Sequence, residues 1–343
     1  MLSECSSKTK IHSARTSGIS PKGRYVAMQA KVLISTEKMT EEQWLEARRA
    51  GIGGSDAAAI AGMSRWKSPV SVYLDKLGQS PKEDEAGEAA YWGHVLEEVV
   101  AREFSNRTGK KVRRKKAILQ HPLYPFMLAN VDRLIVGENV GLECKTASEY
   151  LKEEWTGEEI PDAYLIQCQH YMAVTGYKAW WIAVLIGGNK FIYKKVDRDE
   201  ELIGYLIQIE KDFWENHVQK QEPPMFDGSD SSTELLNHMY PIGIDEETSL
   251  PLKADEIIVR LKSAKEEKKE IDERIKADEN QLKAMLGENE IGLATKHRVT
   301  WKTIQTNRFD TKKFASEHPE LFEEFSETKP QRRFYVKESV DNG

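Results

Sequence analysis

Asn130-Val131-Asp132-Arg133-Leu134-Ile135, a short turn, and then Gly141-Leu142-Glu143-Cys144-Lys145-Thr146 form the stretch whose reading decides the fold. Between the two apolar runs lie Gly137, Glu138 and Asn139, which have the composition of a hairpin loop. The stretch therefore reads as a β-hairpin. Successive side chains of a strand point to opposite faces, so Glu143 and Lys145 share one face while Cys144 points into the fold. Asp132 is expected across from them on the partner strand. Two oxygen-donor carboxylates suit a hard cation such as Mg²⁺, which keeps several waters and takes its remaining ligands from a substrate phosphate. An ion pair on a solvated strand face is the plain alternative, and the hairpin alone does not choose between the two.

The wider composition narrows the classes. A chain of 343 residues with 39% hydrophobic content buries a proper core and leaves room for one medium domain and an appendage. The net charge of −6 excludes a protein that coats nucleic acid through its overall field, so any DNA contact has to come from a local basic surface. The three cysteines, Cys5, Cys144 and Cys168, stand in no metal-ligand spacing, which fits a reducing, cytoplasmic compartment and excludes a cysteine-held zinc or iron–sulfur cluster. No run is apolar and long enough to span a membrane, and the first residues lack the apolar core of a signal peptide.

Working outward toward the N-terminus, residues 1–34 are expected as a disordered basic tail, in which Met28 opens Met-Gln-Ala-Lys-Val-Leu-Ile as a fresh beginning. Thr40-Glu41-Glu42 marks a helix start, and that helix carries Trp44 and Arg48. Gly51-Ile52-Gly53-Gly54-Ser55-Asp56 then turns into an alanine-rich helix. A glycine-rich turn feeding a helix start presents backbone N–H groups to an anion, with Arg48 and Ser55 placed to add a guanidinium and a hydroxyl. The alternative is an ordinary helix–turn–helix in which Ser55 merely caps. Trp92-Gly93-His94 opens an amphipathic helix with Leu96, Val99, Val100 and Phe104 inward, Glu97 beside that apolar face and His94 on the rim. Lys110-Lys111-Val112-Arg113-Arg114-Lys115-Lys116 follows as the densest basic run, a candidate contact for phosphates through Arg113 and Arg114.

Past the hairpin, Pro161 and Gly176 bracket a helix on which Gln167 and Tyr171, four apart, share a face. Ala179 to Ile186 is nearly all apolar, the pattern of a buried central strand, with Phe191 to Val196 as its hairpin partner. Glu200 to Asn216 is expected as a closing helix with Ile203, Leu206, Ile207 and Phe213 toward the sheet. The order helix, strands, helix, strand, strand, helix describes an α/β core over residues 35–225.

Strand aspartate, then Glu-x-Lys, a glutamate-bearing helix before and a Gln-x-x-x-Tyr helix after: this order resembles the PD-(D/E)xK nucleases. More narrowly, Trp44 with Arg48 and Gly53-Gly54-Ser55-Asp56, Trp92-Gly93 with Glu97, Val131-Asp132 with Gly141 to Lys145, and Ala163-Tyr164 with Gln167, Gln169 and Tyr171 resemble the YqaJ-type viral recombinases, relatives of phage lambda exonuclease. Val131 stands where the fold's name has proline; the aspartate is the ligand, so the chemistry is untouched.

The resemblance implies a restriction-endonuclease-like core, a mixed central sheet flanked by helices, and a metal-dependent nuclease. It implies that Asp132, Glu143 and the Cys144 carbonyl hold a metal, that Glu97 holds a second ion or its water, and that Lys145 orients the attacking water or stabilises charge on the phosphate. Gln167 and Tyr171 would position Lys145 or the scissile strand, and Arg48 and Ser55 would bind a terminal 5′-phosphate. The implied metal is magnesium, with manganese as substitute. The implied activity is 5′-to-3′ digestion from double-stranded DNA ends, leaving 3′ overhangs for phage-type recombination. The partners implied are a single-strand annealing protein and further copies of the chain in a ring-like homo-oligomer. An endonuclease of the same fold stays open, as does a catalytically silent DNA-end or partner-binding module; a mere binder has no need of Asp132, Glu97, Glu143 and Lys145 together.

Beyond Pro223-Pro224 a linker is expected over 226–253, then a heptad-patterned helix over 254–288 interrupted at Lys268 and Asp278. That helix reads as a hairpin arm or a helix packed on a partner. A small α/β module is expected over 289–343, with a helix near Thr311 to Phe325.

Overall fold

A computed structural model describes residues 30–80, 87–328 and 331–337. The chain divides into two compact units, one ending at His238 and the other beginning at Met239. The first unit holds β1 (Lys31–Ser35), α1 (Glu41–Arg49), α2 (Gly54–Ile60), α3 (Pro69–Lys76), α4 (Glu88–Thr108), β2 (Val112–Arg114), β3 (Ala117–Gln120), β4 (Leu128–Ala129), β5 (Arg133–Ile135), β6 (Val140–Ala147), α5 (Asp162–Thr175), β7 (Ala179–Ile186), β8 (Lys190–Asp197), α6 (Glu200–Asp212) and α7 (Asp230–Met239, whose last residue is the first of the second unit).

Five strands make the central sheet in the order β2-β5-β6-β7-β8. The decisive hairpin is there: β5 and β6 pair antiparallel, Arg133 opposite Leu142, and Gly137 takes φ 82° in the turn, a conformation natural to glycine. β6 and β7 run parallel from Val140 opposite Ala179 to Ala147 opposite Ile186. Parallel neighbours need a crossover, and α5 supplies it. Gly141 lies opposite Trp180, and a Cβ there would stand 2.1 Å from the indole Cζ2, so the close approach admits no side chain. α4 covers one face of this sheet, packing Val100, Ala101 and Phe104 against Ile135, Leu142, Cys144 and Ala183. β1, β3 and β4 form a second, antiparallel sheet. The mixed α/β core with helices around the sheet is the fold class expected.

Several local expectations are corrected. Residues 31–34, assigned to the tail, belong to β1, because alternate backbone groups of Lys31–Ser35 find a ladder on β3; the tail over 1–29 and the beginning at Met28 lie outside the described residues. Val99 is 38% exposed, and Ala101 takes the inward place, since residues 100, 101 and 104 share the helix arc that faces the sheet. The closing helix changes to π geometry over Phe213–Val218. The expected linker contains α7: the Asp227 carboxylate accepts from Ser229 and Ser232 hydroxyls and starts a helix in which Ser231 and Ser232 are buried.

The second unit contains α8 (Lys253–Leu286), the hairpin of β9 (Ile291–Leu293) and β10 (Arg298–Thr300), α9 (Thr311–Glu317) and α10 (Pro319–Glu324). α8 is one continuous helix, so the hairpin-arm reading does not hold. The helix expected over 311–325 is two, because Pro319 has no N–H to continue the ladder of α9. Among the described residues no helix is long and apolar enough to cross a membrane.

Candidate metal and phosphate site

The hairpin delivers its carboxylates as its pleat dictates. Asp132 sits immediately before β5, and its Oδ2 accepts the backbone N–H of Cys144 at 2.8 Å. This bond fixes Asp132 beside the face that carries Glu143 and Lys145. Lys145 Nζ lies 2.7 Å from Glu143 Oε1 and over the Tyr164 ring, 5.3 Å from its centroid. Gln167, on α5, donates to Glu143 Oε1 at 2.7 Å and to the Tyr171 hydroxyl at 2.9 Å. Gln167 and Lys145 therefore meet on the same oxygen of Glu143, and Tyr171 meets Gln167.

Electrostatics marks the same spot. Burial pushes the Asp132 carboxyl well up, and the Glu143 and Glu97 charges add to it. Burial alone would lower Lys145, but the carboxylates of Glu143 and Asp132 outweigh it and hold the group as an ammonium. Glu143 Oε2 is buried with no hydrogen-bond partner. An orphaned carboxylate oxygen facing a second carboxylate is a donor set that a divalent cation satisfies, so the residues fit a metal. Asp132 and Glu143 with the Cys144 carbonyl would hold it. Among the described residues no three His, Cys, Asp or Glu side chains form a ready metal cage.

Glu97 stands aside from that pair. Its carboxylate is bonded to the Arg133 guanidinium, which also reaches Glu98 at 2.9 Å and the Asp132 carbonyl at 2.8 Å. Glu97, Asp132 and Arg133 nonetheless line one cleft of ≈ 170 Å³ with Trp44, Arg114 and Lys116. Arg133 was not singled out from sequence; its place next to Asp132 was the one local signal, and its pairing with the glutamates of α4 is visible only in the fold.

Arg48 and Ser55, the second expected pair, lie on α1 and α2, on either side of the glycine turn. Arg48 lies over the Trp44 ring at 4.6 Å. Ser55 is exposed and does not cap α2: the N-terminal cap is Gly53, and the Asp56 carboxylate accepts its N–H at 3.0 Å. The capping reading of Ser55 is therefore overturned, and its hydroxyl faces solvent. Asp56 is itself completely buried and paired with buried Lys76 at 2.7 Å, while Lys76 also donates to the Arg48 carbonyl at 3.3 Å. One lysine on α3 thereby ties the end of α1 to the start of α2 and sets Arg48 against the glycine turn. Asp56 was legible as the third residue of a helix start; nothing local marks Lys76.

The basic run is partly spent within the fold. Arg114 pairs with Glu98 at 3.0 Å, Lys110 with Glu138 at 2.6 Å and Lys116 with Glu37 at 3.2 Å. Arg113 alternates to the other face of β2 from Arg114 and is exposed. His170, on α5 behind the site, bridges the Leu128 carbonyl and the Glu210 carboxylate at 2.8 Å each, all buried, and so locks α5 to α6.

A model of the YqaJ-like viral recombinase domain matches residues 43–178. Over 314 residues the chain is 44% identical to the uncharacterised protein YqaJ of Bacillus subtilis strain 168, covering 90% of this chain and 98% of that one. Among solved structures, the alkaline exonuclease LHK-Exo of Laribacter hongkongensis in complex with dAMP is 20% identical at a TM-score of 0.46, covering 53% of this chain and 94% of that one. A phage-related exonuclease of Haemophilus somnus 129PT is 12% identical at a TM-score of 0.39, covering 50% of this chain and 96% of that one.

Proposed function

The chain belongs to the YqaJ-like viral recombinase family, and from that premise we propose that it is a magnesium-dependent exonuclease that digests double-stranded DNA from 5′ ends and leaves 3′ overhangs. The observation that carries the reading is Glu143, held by Gln167 and Lys145 with one oxygen unpartnered and Asp132 fixed beside it.

Asp132, Glu143 and the Cys144 carbonyl would hold a divalent ion, which when bound would acidify water and offset charge on the leaving oxygen. The protein's own groups do the rest. Gln167 and the Cys144 N–H hold the two carboxylates in place. Lys145, kept as an ammonium, stabilises charge that develops on the scissile phosphate. Glu97, with Arg133 as its counter-ion, orients water at the cleft edge. Arg48 and Ser55 bind the terminal 5′-phosphate, one through a guanidinium and the other through a hydroxyl. Arg113 and Arg114 meet the duplex backbone farther out. The 3′ strand left behind is the substrate of a single-strand annealing protein, the partner the resemblance implies.

Digestion of linear duplex, with and without a 5′-phosphate, against covalently closed circles tests the reading, in Mg²⁺ and in chelator. Metal-dependent loss of linear DNA alone, fastest with the phosphate, is expected. Nicked circles would make the protein an endonuclease, and no cutting in any metal would leave a binding module. A finer prediction concerns Gln167→Ala, which is expected to slow cleavage about 10- to 100-fold, the usual cost of removing a group that orients a metal ligand. Single-turnover digestion at saturating Mg²⁺ reads it; a wild-type rate would take Gln167 out of the site.

A further inference from the structure

α8 runs for 34 residues, and Leu286 is its only buried side chain. At 1.5 Å per residue it is roughly 50 Å long. A solvated helix of this kind gains little from its own chain, since isolated helices are marginal in water. It nevertheless carries an apolar seam: Ile271 is 46% exposed and Ile275 52%. The seam keeps its heptad spacing throughout, with a charged residue at two of its positions. Leu261, Lys268, Ile275 and Leu282 take its first position, a. Ile257, Ala264, Ile271, Asp278 and Met285 take its fourth, d.

Two seam residues are charged, and their placement selects a partner. In a parallel pair of such helices a meets a and d meets d, which would set Lys268 against Lys268 and Asp278 against Asp278. In an antiparallel pair a meets d. With the two-fold axis at Glu273, Lys268 meets Asp278 of the second copy, and Asp278 meets its Lys268. The same register sets Ile271 against Ile275, Ala264 against Leu282 and Leu261 against Met285 of the second copy. A slip of one heptad in either direction puts both charges opposite apolar residues. On the flank, Lys265 comes beside Glu279 of the second copy. Asp272 and Arg274 each meet their own copy near the axis, on the solvated rim where salt screens them.

We infer that α8 pairs with α8 of a second copy of this chain as an antiparallel two-stranded coiled coil, its register set by the reciprocal Lys268–Asp278 contacts. A two-fold contact of this kind is self-complementary and closes at two chains. The inference is independent of the chemistry proposed for the first unit.

Sedimentation velocity of the full chain over a concentration series tests it by charge exchange. Lys268→Asp alone and Asp278→Lys alone are each expected to weaken pairing about tenfold, because each sets like charges face to face. The combined Lys268→Asp/Asp278→Lys chain is expected to return to wild-type affinity. Both positions are exposed and neither substitution removes a packed contact within the chain, so helicity by circular dichroism, compared at protein concentrations that keep each chain paired, stays that of the wild type. Any association through the first unit is common to all these chains and drops out of the comparison. A combined variant as weak as either single one, single variants that pair like the wild type, or a wild-type chain that stays monomeric throughout would each overturn the inference.

Discussion

Lys145→Ala is expected to cut the cleavage rate about 10²- to 10³-fold, the scale of losing one pre-placed charge-stabilising donor, while duplex affinity stays within about twofold. The asymmetry follows from placement. Nζ is 2.7 Å from Glu143 and over the Tyr164 ring, inside the site and not on a surface that tracks the DNA backbone. Removing it also leaves Asp132 and Glu143 facing each other without their common counter-charge, since Lys145 is what draws the Asp132 carboxyl back down against burial and Glu143. Rates from single-turnover digestion and affinities from gel shift in chelator read the two effects separately. Retained cleavage would refute the role of Lys145; equal losses of binding and rate would recast it as a DNA contact.

Lys76→Met should cost about 3–5 kcal/mol, because it strands a buried carboxylate. Asp56 is burial-disfavoured as an anion, yet Lys76, Arg48 and Lys67 together hold its carboxyl well below the usual carboxylate range. A depressed carboxylate contributes stability that is present above its unfolded pKa and lost as pH falls toward the folded one. In the variant the balance reverses: without Lys76 burial raises Asp56, and the group enters the fold neutral at the cost of a proton. The penalty is therefore largest at neutral pH and shrinks as pH falls toward the unfolded value of about 4. Urea unfolding at pH 7 and pH 4.5 measures both numbers. A loss under about 1 kcal/mol, the range of an exposed pair, would remove the buried-pair account, as would a penalty that grows on acidification. The variant also frees the Arg48 carbonyl from its anchor, so a preference for 5′-phosphorylated ends should fade with stability.

The hairpin of β5 and β6, the buried strand β7 and the bounds of α5 were legible because each rests on a local period or an end signal. Alternation places Glu143 and Lys145 together whatever packs around them. Pro161 and Gly176 mark the ends of α5 by backbone geometry alone. Val99 was misplaced because α4 carries apolar residues on more than one side, and only the sheet says which arc is covered. The serines at the start of α7 read as linker because their composition favours loops until Asp227 collects the hydroxyls of Ser229 and Ser232.

What the sequence by itself determined is the set of chemical groups and the elements that carry them: the two carboxylates and the lysine of the hairpin, Gln167 and Tyr171 on one helix face, Arg48 before a glycine turn. Only the tertiary structure decided who pairs with whom. Gln167 goes to Glu143 over 24 residues, Arg133 to Glu97 over 36, Lys76 to Asp56 over 20 and His170 to Glu210 over 40. The physical reason is that periodicity acts between neighbours along the chain, whereas a buried polar group must find its partner among whatever the fold brings within hydrogen-bond reach, and that choice is made by packing.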